Sequence, residues 1–170
     1  MNKISFFILL GFCLFFASCK KQLPQLPSNK GNAINRNSES MLLINHNLSI
    51  KEDSILEKFA ESKGSFRKNE MGFWYHIFNV GSGLKVTDSI KCSFDFKIMK
   101  LDGIMLQTGN KQIIIGKKQT ITGLEEGLKM MHKGDSATFI IPWYLGYGMK
   151  GEAPLIAPYT SLILKIKLSD

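Results

Sequence analysis

Chemistry in a chain of this size usually rests on a histidine, a cysteine, paired carboxylates or a phosphate-holding loop, and each can be tested by its spacing. His46, His76 and His132 stand apart, with no cysteine or carboxylate at ligand spacing, and read as surface or packing residues. Cys92 lies in a segment of alternating apolar residues and reads as a buried thiol rather than a nucleophile. Glu125 and Glu126 leave a helical stretch in different directions and cannot work as an acid/base pair. Gly81-Ser82-Gly83 leads into a strand instead of a helix, so it builds no phosphate cradle. What remains are apolar and aromatic residues at joints: Ile121-x-Gly123-Leu124, Leu155-Ile156, and Tyr147 between two glycines. Any activity must then come from an apolar pocket, with neither metal nor cofactor.

The elements that must hold these joints follow from periodicity. Ser49-Ile50-Lys51-Glu52 has the capping-box pattern, and Ile55, Leu56, Phe59 and Ala60 recur at helical spacing up to Gly64, which predicts a short helix that packs on the domain or a partner. Phe73, Tyr75 and Ile77 alternate with Trp74, His76 and Phe78 as in a strand. Cys92, Phe94, Phe96 and Ile98 mark a half-buried strand closed by the turn Leu101-Asp102-Gly103, and Ile113 to Ile115 a third apolar run. Between about Gly123 and His132, Leu124, Leu128 and Met131 share one helical face, while Glu125, Glu126, Lys129 and Lys133 are expected in water. Strands over Ser136–Ile141 and Ser161–Leu168 flank a proline-bearing loop. The predicted class is α+β, an antiparallel, strongly twisted sheet wrapped around one short amphipathic helix.

In order and spacing, Gly116, Ile121-x-Gly123-Leu124-Glu125-Glu126-Gly127-Leu128-x-x-Met131, Gly134-Asp135, Ile141-Pro142-x-x-Leu145-Gly146-Tyr147-Gly148 and Leu155-Ile156-x-Pro158 resemble FKBP-type peptidyl-prolyl cis/trans isomerases. Upstream, Gly72-Phe73-x-Tyr75, Gly81-x-Gly83, Val86-x-Asp88 and Asp102-Gly103 are similar to the opening strands of that family. The resemblance implies that Tyr147 donates its hydroxyl to a carbonyl of a bound prolyl segment, and that the Ile121 backbone N–H, next to Thr120, donates to another. It implies Leu124 as the pocket floor, with Phe96, Leu106, Ile156 and Leu164 as walls, Leu155 at the rim and Gln107 where a pocket Asp is typical. Such a site has a physical logic. Rotation of an X-Pro amide must surrender conjugation worth about 18–20 kcal/mol, and the twisted amide is less polar than the planar one, so a dry pocket favours it without proton transfer. Leu124 stands where the family often has Trp, Leu106 and Leu164 where it has Phe, and Phe96 where it has Tyr. Lost rings and a lost carboxylate predict weak isomerase activity and weak macrolide binding. Two functions stay open, an isomerase acting on proline-containing polypeptides and a binding module or chaperone that grips such segments with little catalysis.

The N-terminus sets the expected location. Lys3, the apolar run Ile4–Phe16 and Ala17-Ser18-Cys19 read as a secretory signal, too short for a span of roughly 20 residues. Phe16-Ala17-Ser18-Cys19 resembles the bacterial lipobox, which implies cleavage before Cys19 and a lipid on its sulfur; the alternative is an uncleaved anchor helix. Either places the folded part outside the cytoplasm, facing the periplasm from a bacterial membrane. The expected organisation is a signal at 1–18, a tether at 19–48, a helical extension at 49–71 and an isomerase domain at 72–170. A narrower resemblance, to gliding-motility-associated lipoproteins, implies envelope motility or secretion machinery as a partner. Net charge is +8, yet Lys97, Lys100, Lys111, Lys117, Lys118, Lys129 and Lys133 form no block, which argues against nucleic acid.

Overall fold

The computed structural model describes residues 31–78, 81 and 83–169, with side chains from Ser38 onward. The chain divides into two compact units, 1–43 and 44–170. Within the first, the described residues are helical from Gly31, and Met41, Leu42 and Leu43 expose their side chains. Helix α1 runs Gly31–Lys63, so it begins well before Ser49, within the stretch expected as a tether. No Gly or Pro interrupts residues 32–63, which lets the helix run through a polar stretch. Ser49 is interior, and its hydroxyl donates to the His46 carbonyl at 2.8 Å instead of capping an end. Gly64 does end the helix, at φ +73°, with its N–H on the Glu61 carbonyl.

In the second unit the strands are β1 Arg67–Lys68, β2 Trp74–Ile77, β3 Lys91–Lys100, β4 Met105–Ile114, β5 Ser136–Ile141 and β6 Leu162–Leu168. Helix α2, Thr122–Lys129, follows β4, and a 3-10 turn, Trp143–Leu145, follows β5. All pairings are antiparallel, in the order β1-β2-β5-β6-β3-β4. Alternation sorts the side chains as the sequence suggested. Phe94, Ile98, Phe139, Ile141, Leu164 and Ile166 pack with Leu124 and Leu128 of α2 in the main core. Two glycines let α2 lie close on β5. A Cβ on Gly123 would stand 2.7 Å from Ile141, and one on Gly127 would stand 2.8 Å from Phe139.

Two features of α2 differ from expectation. It ends at Lys129 rather than near His132, and Glu125 does not face water: it is 6% exposed, and its carboxylate accepts the Gly116 N–H. A buried carboxylate is tolerated when hydrogen bonds replace its water, and this one ties the loop after β4 to the helix.

The opposite face of the sheet carries a second, smaller core. Leu56 and Ala60 of α1, one turn apart, pack on Trp74 and Ile140, with Phe59, Phe66 and Leu101 around them. The Tyr144 hydroxyl donates to Asp53 at 2.5 Å, and the Ser161 hydroxyl to Glu52. The extension predicted to pack on the domain or a partner thus packs on the domain along its last turns.

Candidate functional site

Ile121, the residue before α2, is extended at φ −64° and ψ 147°, and its carbonyl accepts from Leu124 N at 3.1 Å and Glu125 N at 3.0 Å. Its own N–H has no partner among the described residues, which leaves a donor free where the backbone turns into the helix. Leu124 follows one turn on and is buried in the main core, with Ile156 and Leu164. Half-buried at the edge of the same cluster lie Ile121, Tyr147, Phe96 and Leu106. Seven of the residues singled out in the sequence therefore belong to the main core, Leu124, Ile156 and Leu164 buried within it and Ile121, Tyr147, Phe96 and Leu106 half-buried against it.

A register shift sets the position of Leu106. β3 pairs Ile98 with Gln107 but Met99 with Met105, so Leu106 is the extra residue of a bulge. Bulges re-aim side chains, and here Leu106 joins the main core. Gln107 is exposed on the strand face shared with buried Ile113, and Leu155 is also exposed, at 49%. Thr120 is half-buried outside the cluster. None of these three belongs to the main core.

Tyr147 is held by its loop. Gly151 N donates to the Tyr147 carbonyl at 3.1 Å, and Glu152 pairs with Ile156 in an isolated bridge. Gly151 lies at φ +68°, where a Cβ would also meet the Ile156 carbonyl oxygen at 2.3 Å, so the chain can fold back here only through a glycine. Burial pushes the Tyr147 phenol up to about 12, helped by a hydrogen bond to Glu152. The hydroxyl therefore stays a neutral donor at ordinary pH. Glu152 was not singled out in the sequence; only its place in the loop between Tyr147 and Ile156 hints at a role.

Two further residues read as inert also gain definition. His132 is not isolated, because its ring lies 3.7 Å from Asp135, whose buried carboxylate accepts the His132 and Gly81 N–H groups at 2.7 and 2.5 Å. Cys92 is buried, and burial raises its thiol above the usual range, as suits a packing residue. Cys19 lies outside the described residues. No described helix is long and apolar enough to cross a membrane.

What this arrangement can do chemically is narrow. These residues offer buried apolar surface, one neutral hydroxyl and one free backbone N–H. Comparison with known proteins points the same way. Residues 82–169 match the sequence profile described as FKBP-type peptidyl-prolyl cis-trans isomerase. A probable FKBP-type peptidyl-prolyl cis-trans isomerase of Haemophilus influenzae is 30% identical over 122 residues, 69% of this chain and 50% of that protein. FkpA of Buchnera aphidicola from Acyrthosiphon pisum is 28% identical over 124 residues, 71% of this chain and 51% of that protein. The chain spans about half the length of these curated relatives. Among solved structures, FkpA from Escherichia coli superposes with a TM-score of 0.63 at 25% identity, covering 100% of this chain and 82% of the other.

Proposed function

The chain belongs to the FKBP-type peptidyl-prolyl cis-trans isomerase family, and on that premise we propose that it speeds cis/trans exchange at X-Pro bonds in polypeptide clients. What supports this reading is that Tyr147, Ile121 and Leu124 all belong to the main core and that the Ile121 N–H, at the start of α2, has no partner among the described residues. A proline ring enters over Leu124, between Phe96 and Ile156. The Tyr147 hydroxyl and the Ile121 N–H each take a carbonyl flanking the ring, fixing both ends while the amide between them turns. The apolar surroundings lower the barrier because the twisted amide has lost part of its dipole and suffers less from leaving water. No side chain exchanges a proton with the substrate. Leu106, Leu124 and Leu164 supply apolar surface without the stacking of aromatic rings, so the hold on the ring is weak and turnover slow.

The proposal extends to location. Cys19, after Phe16-Ala17-Ser18, is the lipid-bearing residue, and the domain faces the periplasm to assist envelope or exported proteins. The narrower resemblance to motility-associated lipoproteins adds motility or secretion machinery as a partner. A protease-coupled assay on a tetrapeptide Ala-Leu-Pro-Phe tests the activity. Acceleration that falls in Tyr147→Phe supports catalysis, whereas no acceleration at high protein concentration leaves only a binding module.

A further inference from the structure

On the face of the sheet turned away from the main core, a trough of about 520 Å³ is lined by Phe78, Asp95, Phe96, Lys97, Lys165 and Lys167 among others. It crosses from the end of β2 over β5, β6 and β3 to β4. Four interstrand steps of about 4.8 Å make it about 19 Å long, the reach of roughly six extended residues. Register places Lys97 directly opposite Lys165, and Asp95 opposite Lys167. Like charges facing each other across strands cost stability. Yet Lys97, Lys165 and Lys167 make no ion pair among the described residues, not even with Asp95. A second hollow of about 300 Å³, lined by Phe59, Lys63, Phe66 and His76 among others, shares Lys165 and carries the groove on to α1.

We propose that this groove binds an extended acidic segment of another polypeptide, one whose Asp or Glu residues alternate with apolar ones. Three facing lysines against one aspartate set up a positive field with no internal partner, and an acidic strand would relieve the Lys97–Lys165 repulsion. Phe78, 44% exposed, and the aromatic row Phe66–His76–Phe78, with ring centroids 6.0 and 5.5 Å apart, give apolar side chains a surface. The chain's own residues 20–30 are a poor occupant, since they contain Lys20, Lys21 and Lys30 and no Asp or Glu. A flat lipid surface would meet the rims of a concave groove and leave its floor wet.

The test uses the full chain and a fluorescein-labelled peptide Glu-Phe-Glu-Leu-Glu-Phe, followed by fluorescence anisotropy. Binding should weaken about tenfold in the double variant Lys97→Glu, Lys165→Glu, weaken with added salt, and persist in Tyr147→Phe. The milder pair Lys97→Gln, Lys165→Gln should give an intermediate loss, which separates a charge effect from a misfolded sheet. Equal binding by all variants, or no binding at all, overturns the proposal. So does co-sedimentation with phosphatidylglycerol vesicles that the lysine variants abolish while peptide binding does not change, because the face then meets lipid.

Discussion

Tyr147 brings one hydroxyl to the edge of the main core, beside Glu152, and its worth can be measured. Replacing it with Phe removes one neutral hydrogen bond to substrate, about 1 kcal/mol, so kcat/KM should fall roughly five- to tenfold. Urea midpoints should barely move, since no protein partner other than the Glu152 side chain is lost. The same residue fixes the pH dependence. Its folded pKa, about 12, exceeds the ordinary 10.0. A raised folded value means the unfolded state releases its proton first, so this contribution to stability is intact below pH 10 and is lost as pH rises toward 12. Tyr144 shifts in the same direction, through burial and its bond to Asp53, and reinforces the loss. Activity should be flat across neutral pH and fail only with the fold in strong alkali, read by parallel rate and circular dichroism profiles. A fall in activity centred near neutral pH would mean that some other group titrates in the site.

At the scale of elements, the site depends on how closely α2 approaches β5. An exposed helical Gly→Ala change gains roughly 1 kcal/mol, but overpacking a core costs about 1–3 kcal/mol. Gly127→Ala drives a methyl into Phe139, so thermal unfolding should show net destabilisation. Gly123→Ala meets Ile141 and displaces the turn that holds Ile121 and Leu124, so it should lower kcat/KM beyond its effect on stability. Strand alternation and the α2 face were legible because the strand and helix periods report burial directly. The length of α1 was hidden, because polar residues without Gly or Pro neither demand nor forbid a helix. Glu125 was hidden for a related reason: helical periodicity cannot foresee that the loop after β4 brings it the Gly116 N–H to bond. The apolar cluster at the site was legible only as an ordered set of joints, and Glu152 and the bulge at Leu106 depend on loop and register geometry that pattern does not encode.

For the molecule as a whole, the last turns of α1 are fastened to the sheet. Leu56 is fully buried against Trp74 and Ile140, so Leu56→Ala should cost about 2–3 kcal/mol in urea unfolding. The main core lies on the other face, so peptide isomerisation should survive wherever the variant stays folded. Cys19→Ala should release the protein from membranes and abolish fatty-acid labelling; labelling that persists would show the lipid lies elsewhere. The central claim, that a prolyl segment sits over the start of α2, is tested most directly by nitrogen-15 spectra of the chain titrated with the Ala-Leu-Pro-Phe peptide. The amide of Ile121 should shift downfield as it gains its missing acceptor, and should stay in place with a peptide lacking proline. An Ile121 amide that does not move while signals elsewhere respond would contradict the account.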